Sequence, residues 1–161
     1  MRSLSPIEAA SLVSLAGCVL AVVIPTFTRN VHASYVSEAT RGVNELALRA
    51  AARLDAARSS DALPEAAPLT PATVPRGVRV LDPPGTWSHP TWRALEFAFE
   101  REHAYAFAFD AERGEAGARF RAHAHGDLDG DSAESTISIE GTFTAPGPVK
   151  LAPLDVQNEI E

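Results

Sequence analysis

Three carboxylates at alternate positions, Asp127, Asp129 and Asp131, stand in the stretch Gly126-Asp127-Leu128-Asp129-Gly130-Asp131-Ser132-Ala133-Glu134-Ser135. Acids at this spacing in a glycine-containing loop can converge their oxygens on a hard cation, as the first half of an EF-hand loop does with calcium. The second half departs from that pattern. Ser132 stands where the sixth-position glycine would be, Ser138 where the bidentate glutamate would be, and the flanks alternate like strands. Two readings stay open: a Ca2+ site carried by Asp127, Asp129 and Asp131, with Glu134 or Ser135 as weaker ligands, or a solvated acidic turn.

Just upstream, His123 and His125 are two residues apart and project to the same side of a strand. Two imidazoles so placed can ligate a transition metal. The plainer reading is that they continue a polar face begun by Arg119 and Arg121. No nucleophile motif, glycine-rich phosphate loop or specific pair of hydrolytic acids is present, which disfavours an enzyme. A formal net charge of −7 disfavours nucleic-acid binding through a basic patch. The single cysteine, Cys18, rules out an intrachain disulfide.

A fourth acid stands alone at the edge of an uncharged run. Glu8 immediately precedes Ala9 to Thr28, twenty residues that as a helix cover about 30 Å, the hydrocarbon core of a bilayer. A charged group at mid-membrane costs about 3 kcal/mol on insertion scales and less near the end, which makes Glu8 a functional candidate wanting a positive partner. The alternative is a first-turn acid favoured by the helix dipole. Only Arg2 precedes the run, and the helical pattern continues past it, unlike a secretory signal peptide. Pro25 removes a helical hydrogen bond at a cost of about 3 kcal/mol.

Leu4-Ser5-Pro6-Ile7-Glu8 and Val22-Val23-Ile24-Pro25-Thr26-Phe27, with seventeen residues from Glu8 to Pro25 (25 − 8), carry a resemblance. Residues 4 to about 56 resemble the N-terminal helix of type IV pilins and pseudopilins. Ser3 stands where the family has glycine, and Leu4 where it has phenylalanine. The resemblance implies a leader, Met1-Arg2-Ser3, cut by a prepilin peptidase between Ser3 and Leu4, with methylation of the new N-terminus. It implies that the Glu8 carboxylate is neutralised by the α-amino group of Leu4 on a neighbouring subunit, and that the helix adjusts at Pro25. The partners implied are further copies or related pilins, the assembly machinery and, before assembly, the inner membrane. The destination implied is an extracellular pilus or a periplasmic pseudopilus.

The elements that must position these residues follow from periodicity. Phe27, Val31, Tyr35, Ala39, Val43, Leu46, Ala50 and Leu54 recur at helical steps, so one long helix is expected over 4–58, its membrane and assembly part at about 7–28. From Val43 onward the stripe packs on a head, while Arg41, Asn44, Glu45, Arg49 and Arg53 face water or neighbouring subunits. Residues 59–91 form a Pro/Ala-rich connector that excludes a long helix or an inner strand. Period-two alternation then predicts four strands, around Leu95–Glu100, Tyr105–Phe109, Ala118–Ala124 and Thr136–Phe143, in a head spanning 92–161 with the acidic loop at 126–135. The acidic end, Asp155 to Glu161, is expected to pair with Arg41, Arg49 or Arg53 of an adjacent subunit.

The expected fold class is therefore α+β, a long, partly membrane-spanning N-terminal helix packed on a C-terminal antiparallel sheet, pilin-like by resemblance. The expected function is a structural filament subunit. The alternatives are a minor pilin or pseudopilin of a secretion or DNA-uptake system, and a membrane-anchored calcium- or partner-binding module that does not polymerise.

Overall fold

The computed structural model describes residues 5–114 and 117–158. Contacts divide the chain into two compact units, Met1–Ser34 and Tyr35–Glu161. One helix, α1 (Pro6–Ala57), contributes to both.

In the first unit the helical backbone runs through Pro25. Proline has no N–H to offer the carbonyl one turn back. On the next residue, the Thr26 hydroxyl donates to the Val22 carbonyl at 2.8 Å, a local side-chain bond of the kind helices tolerate.

In the second unit the rest of α1 buries Ala39, Val43, Leu46, Ala47, Ala50 and Leu54 completely, the stripe that its period demands. Each such leucine removed from water contributes about 1.5–3 kcal/mol. The stripe lies in one core with a six-stranded antiparallel sheet. Its strands are β1 (Ala67–Thr70), β2 (Ala106–Gly114), β3 (Gly117–Gly126), β4 (Ser135–Phe143), β5 (Lys150–Leu151) and β6 (Asp155–Gln157). The order is β1-β2-β3-β4-β5, with β6 also pairing β4.

The register fixes both faces of the meander. Phe109, Ala122 and Ile139 align across β2, β3 and β4, as do Phe107, Ala124 and Ile137, and these six side chains are buried. One residue along, Ala108, His123 and Ser138 align on the opposite face, as do Asp110, Arg121 and Glu140. Alternation in sequence becomes two chemically distinct faces because successive strand residues point to opposite sides.

Polar staples hold the helix to the head. Glu38 pairs with Arg79 at 2.7 Å and accepts the Ala104 N–H at 3.1 Å, while the Arg79 guanidinium lies 5.3 Å from the centre of the Tyr35 ring. Near the helix end Asp55 accepts the Val149 N–H at 2.9 Å.

One expectation is corrected, and three further placements bear on the sequence reading. Leu95–Glu100 is not a strand: a short helix, α2 (Pro90–Ala94), leads into an unladdered segment in which Leu95 and Phe97 are buried while Glu96, Ala98 and Glu100 are exposed. Alternation there reports an extended chain with one buried side, which requires no hydrogen-bonded neighbour. The connector supplies a strand instead, β1, confined to the sheet edge, where proline's missing N–H does least harm. Arg49 and Arg53 lie at the surface of the helix and also reach backbone carbonyls. Arg49 donates to the carbonyls of Leu95 and Glu96 and pairs with Glu45, and Arg53 donates to those of Ala62 and Ala94. Finally, Asp155–Gln157 forms β6 on β4; Glu159 lies outside the described residues.

Candidate functional site

Two features gather the residues singled out from the sequence. The first is the segment Pro6–Ile24, 19 residues long, which is the one described helix long and apolar enough to cross a membrane. At 1.5 Å per residue it covers roughly 28 Å. Its large apolar side chains, Ile7, Leu12, Val13 and Leu15 among them, are exposed.

Glu8 sits in the first turn of this segment. Its Oε2 accepts the Ser5 N–H at 2.8 Å and the Ser5 hydroxyl at 2.9 Å, while the Ser5 Oγ accepts the Glu8 N–H at 3.3 Å. Ser5, Pro6 and Glu8 thus occupy the cap, first and third positions of a reciprocal capping box. Of the two sequence readings of Glu8, the first-turn acid matches its place in the helix, and the capping partner Ser5 is the addition, although Ser-x-x-Glu ahead of an apolar run is the signature of this motif. Ser3 and Leu4, the expected processing pair, lie outside the described residues.

The second feature is the loop between β3 and β4. One oxygen from each of Asp127, Asp129 and Asp131 lies within 4.8 Å of the other two. Three oxygens at that limit stand about 2.8 Å from a common centre, so a small inward turn of the exposed Asp129 and Asp131 side chains brings them to a Ca2+–oxygen distance of roughly 2.4 Å. The loop's own amides shape this arrangement. Asp127, its side chain buried, accepts the Gly130 N–H on Oδ1 at 2.7 Å and the Ser132 N–H on Oδ2 at 3.1 Å. Asp129 accepts from Asp131 N at 3.1 Å, and Asp131 from Ala133 N at 2.7 Å.

Ser132 has φ 81°, the left-handed conformation a glycine would supply at this point. The departure noted from the sequence is thus one of residue type, while the backbone takes the turn nonetheless. Arg76 comes from the connector, its Nε 3.7 Å from Asp127 Oδ2, and the Gly77 N–H reaches the Asp127 carbonyl at 2.8 Å. Nothing in the local spacing announced Arg76, because fifty intervening positions separate it from Asp127.

The weaker calcium candidates point elsewhere. Ser135 is buried and donates toward the Gly126 carbonyl at 3.1 Å, with the Tyr105 hydroxyl 3.2 Å away. Glu134 lies 3.7 Å from His125 Nδ1. Asp127 is a buried turn anchor, whereas Asp129 and Asp131 are exposed and available to a cation.

On the outer sheet face, His123 and His125 stand side by side on β3, His123 Nδ1 2.9 Å from His125 Nε2. Burial pushes both imidazoles below the usual histidine range, against the opposing pull of Asp110 on His123 and of Glu134 on His125. A third histidine, His103, is fully buried under the connector. Its Nδ1 faces the Tyr105 carbonyl at 2.7 Å and its Nε2 faces Asp82 Oδ2 at 2.9 Å, an oxygen that also accepts the Trp87 Nε1–H at 2.7 Å.

No family model, curated protein or solved structure matches this chain. The functional reading therefore stands on the geometry just described and on the resemblance of its first residues.

Proposed function

We propose that this chain is a structural subunit of a type IV pilus-like filament, assembled through the apolar half of α1. The observation that carries the reading is the pairing of two halves of one helix: Pro6–Ile24 exposes its apolar side chains, and residues from Ala39 onward bury theirs in an antiparallel sheet. An exposed apolar surface of that length needs either lipid or other helices around it. A filament supplies both in turn, lipid before assembly and neighbouring copies after.

In this reading the precursor resides in the inner membrane and is cut between Ser3 and Leu4. Glu8 then exchanges its bonds with Ser5 for the α-amino group of Leu4 on the neighbouring subunit, and Pro25 lets the apolar and head-bearing parts of the helix adjust independently. A filament assembled this way lies outside the cell or spans the periplasm.

The intact mass of the native protein, recovered from sheared cell-surface material and from membranes, tests the reading. Loss of Met1-Arg2-Ser3 in the sheared fraction, with or without a methyl group on Leu4, supports it. An uncut chain confined to membranes refutes it. The acidic loop then favours the second reading, a membrane-anchored calcium-binding module that does not polymerise, on the ground that Asp129 and Asp131 present exposed carboxylates beside Asp127.

A further inference from the structure

We propose that His123 and His125 form a binding site for a divalent transition ion of the copper class, in which His123 Nδ1 and His125 Nε2 are the protein ligands.

The geometry carries this in two ways. The two nitrogens face each other at 2.9 Å. With metal–nitrogen bonds of about 2.05 Å that separation matches an angle of about 90° at the metal, the cis angle of tetragonal Cu2+ or Ni2+, where tetrahedral zinc would spread the nitrogens to about 3.3 Å; the two nitrogens, which now meet in a hydrogen bond, reach a shared ion by a turn of the rings that aims both lone pairs at one point. Without a metal, the gap between the rings holds one proton, which the ion displaces.

The second support is what the outward nitrogens touch. His123 Nε2 lies 3.2 Å from Asp110 Oδ2, and His125 Nδ1 lies 3.1 Å from Thr136 Oγ1 and 3.7 Å from Glu134 Oε2. A ligating imidazole characteristically turns its other nitrogen to a carboxylate, which sets the tautomer and raises the basicity of the ligating nitrogen. Here the Asp110 carboxylate stands beside His123 Nε2, while the near partner of His125 Nδ1 is the Thr136 hydroxyl, with Glu134 farther out. His123 Nε2 is buried without an aligned hydrogen bond, and a metal-bound ring oriented toward Asp110 would provide one.

The neighbours of the pair across the sheet are small. Ala108 and Ala106 flank the two histidines on β2, and Ser138 and Thr136 flank them on β4. Both rings are half-buried, so water completes the coordination. Arg121 on the same face donates to the Ser138 hydroxyl at 3.1 Å; its charge opposes a cation, and Asp110 and Glu134 offset it. The site uses none of the three loop aspartates.

The test is a Cu2+ titration of the full-length chain in detergent micelles, with Cys18→Ser as the background so that the thiol does not reduce the metal. It is read by electron paramagnetic resonance and by binding affinity. The expected result is one ion per chain with couplings from two imidazole nitrogens. His123→Gln and His125→Gln should each remove one nitrogen and weaken binding at least tenfold. Asp110→Asn should weaken it roughly tenfold with both nitrogens retained, and the Asp129→Asn/Asp131→Asn pair should leave it unchanged. A parent spectrum without imidazole couplings overturns the proposal whatever the variants do. So does wild-type affinity in both histidine variants.

Discussion

Ser5 and Glu8 satisfy each other at the start of the apolar helix, the carboxylate accepting from the Ser5 N–H at 2.8 Å and its hydroxyl at 2.9 Å. An acid at the edge of a membrane span is thereby supplied with donors before any neighbour arrives. Capping and charge can be separated by substitution, because glutamine preserves a capping box and alanine does not. Under the proposed filament function, Glu8→Gln is expected to keep the helix start and the membrane insertion of the precursor yet to abolish filaments, and Glu8→Ala is expected to abolish them too. Immunoblotting of sheared and membrane fractions checks this. Normal filaments from Glu8→Gln would remove the charge pairing from the assembly mechanism.

Gly42 illustrates a second close relationship. A Cβ there would stand 2.6 Å from Phe107 Cε1, so the glycine is what lets the ring of β2 lie against α1. In an exposed helix Gly→Ala gains about 1 kcal/mol; here overpacking costs about 1–3 kcal/mol. Gly42→Ala should therefore lower stability by about 1 kcal/mol, and the same change in a Phe107→Leu background should recover the helical gain. Denaturant unfolding of the four proteins in the cycle measures it.

The acidic loop should separate into an anchor and a pair of cation ligands. Asp127→Ala leaves the amides of Gly130 and Ser132 without their acceptor and should cost about 1–3 kcal/mol in calcium-free buffer. Asp129→Asn with Asp131→Asn should leave calcium-free stability within about 0.5 kcal/mol, since both side chains are exposed. That pair should also abolish a calcium-dependent rise in Tm, worth about 2.7 kcal/mol at a hundredfold excess of calcium over Kd. Thermal unfolding with calcium and with a chelator tests both statements.

Tyr105 gives the head an alkaline limit. Its ring is fully buried, and burial first, then the Glu38 charge, hold the phenol above its usual range, with the Ser135 bond opposing. The folded protein thus binds this proton more tightly than the unfolded chain. The corresponding stability is fully present below about pH 10 and is lost as pH rises through the folded value, at no more than about 1.4 kcal/mol per pH unit. Tyr105→Phe should flatten the fall in Tm above pH 10 relative to wild type. Equal slopes in the two proteins would count against this origin.

The sequence alone determined which surfaces must be covered. An uncharged run after Glu8 gave a segment able to span a membrane, the helical stripe gave the buried face of α1, and alternation gave the two faces of β2, β3 and β4. Each is a periodic property of neighbouring residues, which is why it is legible locally. The capping box at Ser5 was equally local and was missed.

Tertiary structure decided the pairings, because a hydrogen-bond partner distant in the chain leaves no mark on local period. Leu95–Glu100 alternates but lies off the ladder, while the proline-rich Ala67–Thr70 joins it through Phe107 and Phe109. Arg49 and Arg53 stay at the surface, and only the fold brings the backbone carbonyls near residue 95 within their reach. At the loop, spacing named Asp127, Asp129 and Asp131 together; only the fold buried the first beneath Arg76 and left the other two open. The strand period put His123 and His125 on one side, and the folded sheet brings their ring nitrogens to 2.9 Å of each other.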